Sequence, residues 1–509
     1  MLEREQVLVP HSVLPLHREG PGANFGLLLL RLGALAPLVS LACGAGEPQK
    51  KVPLALEPCR LDGLGVEARC GRLRVFEDRD ARRGRELELR VAVVPALAAS
   101  PQPDPLFILV GGPGQAATEA GAPLAEALLE VRRRRDVVLV DQRGTGQSHP
   151  LTCESDTERP LTELLAPRAG ADKARACRAG LEADATHYAT PAAMDDLDEV
   201  RAALGYERIN VWGGSYGTRA ALVYLRAHPD HVRSLVLDGS APFALRLPLY
   251  VARDAERALG LLYADCARDT DCQQRFPDAR RRLSELLDGV GASGVEARYE
   301  HPRGGQAESL HIDRAGLAGV VRNLLYVPQL TGLLPLAVER AGGGDFGAFI
   351  AAADAFSRGV HISTGMFLSI VCAEDVPRFN ASEAVELTRE TFLGGEWLAD
   401  MRAECDAWPA ARLPESYFEP VRSDTPSLLL SGNLDPVTPP SWGEEVARSL
   451  SRSRHVIVAG GGHGVSTLGC APDLIAEFLE TLAPEKLDAS CVERLARPAF
   501  FTSLQGPNP

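Results

Sequence analysis

Short apolar segments alternate with helical patterns along much of the chain. Residues 86–95 alternate between polar and apolar positions, as a strand with one buried face does. Continuous apolar runs are typical of strands that helices cover on both faces. Such runs occur at 106–110, 136–141, 208–212, 232–237, 427–430 and 455–459. Helical spacing lies between them at 192–205, 217–228, 440–451 and 471–482. This order predicts an α/β protein with a mostly parallel sheet.

The alternation breaks between about residues 240 and 422, where helical patterns dominate. These patterns cover 252–268, 278–289, 314–325, 345–357 and 383–393. We therefore expect one large, mainly helical cap inserted between two strands of the sheet. The predicted organisation is an export signal and linker (1–54), the N-terminal part of the core (55–240), the cap (241–422) and the C-terminal part of the core (423–509).

The N-terminal region contains the long apolar run 25–42, which Arg31 interrupts. Small residues follow it around Cys43, and this pattern predicts an export signal. Cys43 directly follows Leu41 and Ala42, as the lipid-modified cysteine of bacterial lipoproteins does. Membrane attachment through a lipid on Cys43, ordinary signal cleavage and a signal anchor all remain open. In each case the protein is exported: secreted, periplasmic or anchored at the bacterial cell surface.

The chain contains 11 cysteines, and ten remain when Cys43 is set aside. They fall into neighbouring pairs along the sequence: 59 with 70, 153 with 177, 266 with 272, 372 with 405, and 470 with 491. The spacing does not fit a zinc site, so disulfides in an oxidising compartment are the simpler interpretation. The formal charge of −14 also argues against a nucleic-acid partner.

A nucleophile motif follows the 208–212 run. Gly213-Gly214-Ser215-Tyr216-Gly217 has the pattern G-x-S-x-G between a predicted strand and a predicted helix. In this context the serine lies on a tight turn, and small flanking residues avoid clashes with the strand and the helix. The motif predicts Ser215 as a nucleophile at the carboxyl edge of the sheet.

A serine hydroxyl needs a base, and the base needs an acceptor that fixes its tautomer. His463 lies in a glycine-rich loop directly after the last predicted strand, so we expect it to be the base. Asp435 follows the 427–430 strand and is the expected acceptor. Asp238, after the 232–237 strand, is the rival for that role, although a loop or capping role is preferred for it. The order Ser215, Asp435, His463 is that of α/β hydrolases.

Backbone N–H groups must stabilise the oxyanion in such a site. One is expected from Tyr216, the residue after the nucleophile, and the other from Gly112 or Gly111 in the loop after the 106–110 strand. The segment 141–148, DQRGTGQS, follows another strand at the same edge, and a structural role is expected for its Asp and Arg.

These motifs together resemble those of the secreted tripeptidyl aminopeptidases, relatives of the proline iminopeptidases among the α/β-hydrolase serine exopeptidases. The matching segments are GGPG (111–114), DQRGTGQS (141–148), GGSYGT (213–218), SGNLDPVTP (431–439) and GGGHG (460–464). The similarity extends from about residue 55 to 495. One departure is Val110, where relatives often have histidine.

The resemblance implies an α/β-hydrolase fold and cleavage of small peptide substrates from a free N-terminus. It also implies cap carboxylates that bind the substrate ammonium group, because a cation in a partly dry pocket needs an anion. The candidates are Glu374 and, second, Asp375. The chemistry requires neither a metal nor an organic cofactor. Two alternatives remain: an esterase or amide/lactone hydrolase of the same fold, and a non-catalytic binding protein. The oligomeric state cannot be predicted from these features.

Overall fold

A computed structural model describes residues 54–507 except 154–155, 157–160, 166–169, 301–303 and 360. The predicted export segment and Cys43 lie outside these residues. Among the described residues, no helix combines the length and the apolar character that a membrane span requires.

Within the residues that the structure describes, the central sheet contains nine strands. In chain order they are β1 (Glu57–Cys59), β2 (Ala68–Phe76), β3 (Glu86–Val94), β4 (Leu106–Leu109), β5 (Val137–Val140), β6 (Ile209–Gly214), β7 (Val232–Asp238), β10 (Ser427–Gly432) and β11 (Ser453–Val458). Their order in the sheet is β1-β2-β3-β5-β4-β6-β7-β10-β11. The strands from β5 to β11 in this order pair in parallel, whereas β1, β2 and β3 pair antiparallel at one side. The mostly parallel sheet is therefore confirmed.

The helices are numbered in chain order within the described residues. Those before the cap are α1 (Ala117–Ala120), α2 (Ala122–Ala127), α3 (Leu129–Arg132), α4 (Leu161–Leu165), α5 (Gly170–Gly180), α6 (Thr190–Ala203) and α7 (Tyr216–Ala227). The cap contains α8 (Val251–Arg268), α9 (Thr270–Arg275), α10 (Ala279–Val290), α11 (Arg314–Leu325), α12 (Pro328–Thr331), α13 (Leu334–Gly342), α14 (Gly347–Gly359), α15 (Thr364–Glu374), α16 (Ala381–Thr388) and α17 (Glu396–Asp406). After it come α18 (Pro440–Ala447), α19 (Ala471–Thr481) and α20 (Ser490–Glu493).

Helices cover both faces of the sheet, and the alternation of side chains along each strand explains this. In β4, Phe107 and Leu109 pack into the core on the side of α6 and α7, whereas Leu106 and Ile108 pack into the opposite core with α2 and α19. All four are buried. Because both faces are covered, β4 has no polar positions, which is why it occurs as a continuous apolar run.

The cap has a hydrophobic core of its own, built mainly from α8, α10, α11, α13 and α14. It also contains a two-stranded antiparallel hairpin, β8 (Val295–Glu300) and β9 (Ala307–Ile312), which was not predicted within the mainly helical cap. In β8 the buried residues are Ala297 and Tyr299, which pack into the cap core, and Arg298 between them is exposed. The hairpin thus covers one side of the helices.

A segment before the predicted cap boundary also packs against the cap. Leu165 of α4 is buried in the cap core. Ala174 of α5 is buried in a further cluster together with Leu368 of α15 and Trp408. Residues before position 241 therefore also contribute to the packing of the cap, and the boundaries 241–422 stay a prediction.

Disulfide bonds join all ten cysteines that lie among the described residues. The bonds are Cys59–Cys70, Cys153–Cys177, Cys266–Cys272, Cys372–Cys405 and Cys470–Cys491. These are the neighbouring pairs that the sequence predicted. Cys153–Cys177 joins α5 to the chain before it, and Cys372–Cys405 joins α15 to α17.

We predict that non-reducing peptide mapping of the purified protein finds these five disulfides and no free thiol between residues 54 and 507. The reason is that each pair is already within bonding distance in the fold, and an oxidising compartment makes the bond persist. A reduced and alkylated sample serves as the control. Several free thiols in protein recovered from the exported fraction would contradict the pairing.

Candidate active site

Ser215 lies on the turn between β6 and α7. Its backbone angles, φ 56° and ψ −124°, are strained for a residue with a side chain. The Ser215 N–H donates to the carbonyl of Asp238 at the end of β7, at 2.9 Å. The turn is therefore fixed to the neighbouring strand, and it holds the serine at the carboxyl edge of the sheet, at the N-terminal end of α7.

The two glycines of the motif leave room for close backbone contacts. A Cβ atom on Gly217 would lie 2.0 Å from the carbonyl oxygen of Leu109, and one on Gly213 would lie 2.4 Å from that of Gly217. Both distances are far below any permitted contact. Only glycine at these positions allows α7 to pack directly on β4 and β6.

Asp435 and His463 form a hydrogen-bonded pair at the same edge. His463 Nδ1 lies 2.8 Å from Asp435 Oδ2. Asp435 is completely buried, and its other oxygen accepts the N–H groups of Val437 and Thr438, both at 2.8 Å. Burial opposes ionisation of Asp435, but attraction to His463 and these hydrogen bonds outweigh it and lower its pKa.

Thr438 is a further member of this group, which the sequence did not indicate. Its hydroxyl donates to Asp435 Oδ2 at 2.8 Å and lies 3.1 Å from His463 Nδ1. A Cβ atom on Gly239 would lie 2.8 Å from the same hydroxyl. Thr438 thus binds Oδ2, the oxygen that contacts the imidazole, whereas the backbone donors bind Oδ1.

Asp238, the alternative acceptor for His463, forms hydrogen bonds with the loop after His463 and not with the imidazole ring. It is buried and accepts the N–H groups of Val465 at 2.8 Å and Ser466 at 2.7 Å, together with the Ser466 hydroxyl at 2.6 Å. Burial raises the pKa of Asp238 in spite of these donors. Its contacts are those of a loop-fixing residue, the role the sequence favoured.

The serine turn and the imidazole meet at the end of β7. Asp238 accepts the Ser215 N–H, and a Cβ on the next residue, Gly239, would lie 3.6 Å from His463 Cε1. Within the part of the chain that the structure describes, the Ser215 hydroxyl has no hydrogen-bond partner. A contact between this hydroxyl and His463 therefore needs a rotation of the serine side chain or a bound substrate, as in other substrate-free sites.

The candidate oxyanion donors also adjoin Ser215. A Cβ atom on Gly111 would lie 2.9 Å from Ser215 Cβ, so this loop backbone passes directly beside the turn. Gly112 has φ +105°, a conformation that favours glycine. Among the described residues, the N–H groups of Tyr216, Gly112 and Gly111 donate to no acceptor. They remain available to a bound ligand.

Comparison with known proteins agrees with this geometry. The family profile described as "alpha/beta hydrolase fold" matches residues 104–276, and the profile described as "TAP-like protein" matches residues 390–491. The serine protease Hip1 of Mycobacterium tuberculosis is 27% identical over 456 residues, covering 80% of this chain and 84% of Hip1. A tripeptidyl aminopeptidase of Streptomyces coelicolor is 22% identical over 470 residues, covering 86% and 85%. A proline iminopeptidase of Neisseria gonorrhoeae is 30% identical over 142 residues, covering 28% and 34%.

The chain has the α/β-hydrolase fold and is similar over most of its length to serine peptidases, among them a tripeptidyl aminopeptidase. It is a serine hydrolase whose relatives are peptidases. The two profiles cover the serine turn and the Asp435–His463 pair respectively, with the first helices of the cap in the first match and the last in the second. The family resemblance seen in the sequence is thereby confirmed.

Glu374 and Asp375 lie at the end of α15, against the helix that carries the serine turn. Both are completely buried, and Arg219 of α7 lies 2.8 Å from Asp375 Oδ2 and 3.5 Å from Glu374 Oε2. Asp375 also accepts the Leu247 N–H at 2.9 Å, and Glu374 accepts the Thr190 N–H at 3.0 Å. These carboxylates therefore attach the cap of the hydrolase to α7.

The two carboxylates differ in whether an oxygen remains available to accept a further hydrogen bond. Both oxygens of Asp375 have hydrogen-bond donors, whereas Glu374 Oε2 is buried without one. Burial is also the largest influence on Glu374, and it raises the pKa of this carboxyl in spite of Arg219. The sequence predicted that these residues bind a substrate amine. Neither is exposed in this structure, and only Glu374 has an oxygen free to accept a further donor.

The predicted structural role of the 141–148 segment agrees with its contacts. Asp141 accepts the N–H and the hydroxyl of Thr118 at 2.8 and 2.9 Å and the Gln147 N–H at 3.0 Å. Arg143 is fully buried and forms a two-pronged ion pair with Asp196, at 2.7 and 2.8 Å. Both side chains therefore form buried contacts inside the hydrolase core, next to the loop of the candidate oxyanion donors.

One group of side chains has the spacing of metal ligands. The candidate ligand atoms of Asp198, His228 and His231 lie within 4.8 Å of one another. Asp198 is already paired with Arg201 at 2.7 Å and accepts the Tyr224 hydroxyl at 3.0 Å. The group lies near the C-terminal end of α7, whereas Ser215 precedes the N-terminal end. It has no part in the chemistry at the serine.

We predict that Gly217→Ala destabilises the hydrolase and removes its activity. Alanine ordinarily stabilises a helix relative to glycine by about 0.5–1 kcal/mol. Here the overlap with the Leu109 carbonyl should reverse the sign and cost about 1–3 kcal/mol or more. Thermal unfolding and hydrolysis of a chromogenic substrate measure the two effects.

The matched control is Gly260→Ala, also within a helix, where a Cβ atom would meet no other atom within 4 Å. Its melting temperature should stay the same or rise. Equal behaviour of the two variants would show that the packing of α7 on β4 does not constrain residue 217.

Proposed function

We propose that the hydrolase cleaves short peptides from a free N-terminus through an acyl-enzyme, with Ser215 as nucleophile, His463 as base and Asp435 as its acceptor. The observation that carries this proposal is the 2.8 Å contact between His463 Nδ1 and Asp435 Oδ2, at the sheet edge where the strained Ser215 turn lies. The peptidase relatives support a peptide substrate.

The proposed mechanism follows from the tautomer of His463. When Nδ1–H donates to Asp435, Nε2 carries the lone pair and accepts the proton of Ser215. The serine oxygen attacks the scissile carbonyl, and the peptide C–N bond breaks as Nε2–H protonates the leaving amine. Water then attacks the acyl-enzyme with His463 again as base, which releases the acid and restores Ser215.

The negative charge on the tetrahedral intermediate needs fixed donors. The N–H groups of Tyr216 and Gly112 are the proposed pair, with Gly111 as the second choice for the loop donor. Tyr216 is the first residue of α7, so the positive end of the helix dipole adds to its effect. Because these groups donate to no acceptor among the described residues, no such hydrogen bond has to break when the oxyanion forms.

The residue proposed to bind the substrate ammonium group is completely buried. We propose Glu374 Oε2 as the acceptor for this group, since this oxygen is buried and lacks a donor. Asp375 is left to neutralise Arg219. Because Glu374 is fully buried, the proposal requires the cap to open between α15 and α7 when the peptide enters.

The five disulfides support export, since such bonds persist in oxidising compartments. We therefore propose that the enzyme acts outside the cytoplasm, which the signal-like segment before residue 54 also supports. Lipid attachment at Cys43 stays a prediction.

The test is a set of chromogenic aminoacyl, dipeptidyl and tripeptidyl amides, each with a free and an N-acetylated terminus. We predict that acetylation lowers kcat/KM about tenfold or more, because it removes the positive charge that Glu374 would pair with. Glu374→Gln should lose this discrimination, and Ser215→Ala should be inactive on every substrate. Comparable cleavage of free and blocked substrates by the wild type would refute the exopeptidase proposal.

An esterase or amide/lactone hydrolase remains the second candidate, because a serine, a histidine and an aspartate do not specify the leaving group. Simple esters in the same set distinguish the two. Rapid ester turnover with no peptide turnover would favour the esterase.

We also predict that kcat/KM falls as the pH drops through a value above 6.5. Burial disfavours protonation of His463, but attraction and a hydrogen bond to Asp435 outweigh it, so its pKa is raised from 6.5. Only the neutral imidazole acts as a base, so activity is present above the raised pKa and is lost below it. A pH profile of kcat/KM measures this limb.

The matched control is His455→Gln, because burial lowers the pKa of His455 and its Nε2 lies 2.9 Å from the Ser431 hydroxyl. The acid limb should not move in this variant. An acid limb well below pH 6, or one that shifts in His455→Gln, would contradict the assignment to His463.

A further inference from the structure

The segment at the end of α11 forms the wall of the cap beside His463. The carbonyl of Tyr326 accepts the backbone N–H of His463 at 3.1 Å. The Tyr326 ring packs edge-on against the imidazole, with 5.1 Å between the ring centres. A Cβ atom on Gly462 would lie 2.6 Å from the Tyr326 carbonyl and from Pro328. This tyrosine therefore contacts the proposed base directly.

Arg322 lies one helical turn before Tyr326 on the same face of α11. Its Nη2 donates to the Tyr326 hydroxyl at 2.5 Å, and its Cζ lies 5.1 Å from the centre of the tyrosine ring. The tyrosine side chain therefore contacts both the guanidinium group and the imidazole. Arg322 is half-buried, so part of the side chain still reaches solvent.

The charge of Arg322 is not neutralised within the described residues. Its Nη1 has only a 3.5 Å contact with the amide oxygen of Asn323, and its Nε is buried without a partner. Other cap arginines pair with carboxylates, such as Arg275 with Glu339 at 2.7 Å. A guanidinium group has five donors and is well suited to a carboxylate, so this one has unused capacity.

An unpaired cation beside the base opposes the reaction. His463 must become positively charged when it takes the serine proton, and the charge of Arg322 disfavours that state. An anion from the substrate would remove this penalty while it is bound. Such an anion has to come from the part of the substrate that lies against His463.

We propose that Arg322 binds a carboxylate on the leaving-group side of the scissile bond. This inference rests on the proposed peptidase function, in which His463 protonates the leaving amine and the leaving group therefore lies beside the imidazole. The carboxylate comes either from the free C-terminus of a short peptide, when one residue follows the cleaved bond, or from an acidic side chain on that residue. Both bear a carboxylate within a few bonds of the leaving nitrogen.

The effect should extend to turnover as well as to binding. A bound carboxylate both contacts Arg322 and offsets its repulsion of the imidazolium ion in the transition state. We therefore expect anionic leaving groups to raise kcat as well as to lower KM. The preference should weaken at high ionic strength, because both effects are electrostatic.

Four peptides test the proposal, all with the N-terminal part that the chromogenic amides show to be cleaved best. After the scissile bond they carry Gly with a free carboxylate, Gly amide, Asp amide or Asn amide. The wild type should cleave the Gly acid and the Asp amide at least about tenfold faster in kcat/KM than the Gly amide and the Asn amide, respectively. The two comparisons distinguish the C-terminal carboxylate from the side-chain carboxylate as the source.

Arg322→Gln should bring both ratios close to one, and Arg322→Lys should retain part of them because it keeps the charge. The control is Arg281→Gln, an exposed cap arginine that pairs with Asp278 at 2.9 Å, and it should leave both ratios unchanged. Circular dichroism and thermal unfolding establish that each variant is folded. The ratio within one variant is unaffected by the amount of active enzyme.

The outcomes separate the two proposals. Cleavage of all four peptides at similar rates by the wild type, or ratios that persist in Arg322→Gln, would overturn the role of Arg322 and leave the peptidase function intact. Absence of cleavage of any peptide, in protein that hydrolyses simple esters, would overturn the peptidase function and this inference with it. A ratio above about ten in only one comparison would support the proposal for that carboxylate source and exclude the other.

Discussion

The direct contact between the backbone of α7 and the strands β4 and β6 is the constraint on which the site depends. With no side chain at Gly217 or Gly213, α7 begins against the Leu109 carbonyl, and Ser215 takes its strained conformation at the strand end. The same contact brings Gly111 beside the serine. The proposed nucleophile, the helix terminus and the proposed oxyanion loop therefore share one packing arrangement.

Two buried acids at the ends of neighbouring strands hold His463 in two different ways. Asp238 after β7 fixes the loop that carries His463, and Asp435 after β10 contacts the imidazole. Both are removed from water, yet the pKa of Asp238 is raised and that of Asp435 is lowered. The difference comes from the partner, since the imidazole can become a cation and the loop amides cannot. A carboxylate that stays ionised beside His463 is what a general base of this kind requires.

The features that depend on local chain geometry were predictable from the sequence. The strand–turn–helix context identified Ser215, and the glycine loop after the last strand identified His463, because parallel strands end at a common edge. Thr438 and Tyr326 were not predictable, since their roles arise from contacts between segments far apart in the chain. Glu374 and Asp375 were noticed, but their burial and their pairing with Arg219 depend on how the cap docks.

In the fold as well, features set by local sequence were predictable, whereas those set by contacts between distant segments were not. The apolar runs gave the buried parallel strands, whereas β2 was missed because exposed arginines interrupt its alternation at one side of the sheet. The hairpin β8–β9 and the contribution of α4 and α5 to the cap were also missed. Short amphipathic segments of this kind are stabilised by the cap core they cover, and their own sequence contains little of that information.

The central claim is that Ser215 is a nucleophile activated by the Asp435–His463 pair, and reaction with a fluorophosphonate probe tests it most directly. Peptide mass spectrometry should find one adduct per chain, on Ser215, with no adduct in Ser215→Ala and a much slower reaction in Asp435→Asn. Folded wild-type protein that stays unmodified, or that carries the adduct on another residue, would contradict the claim.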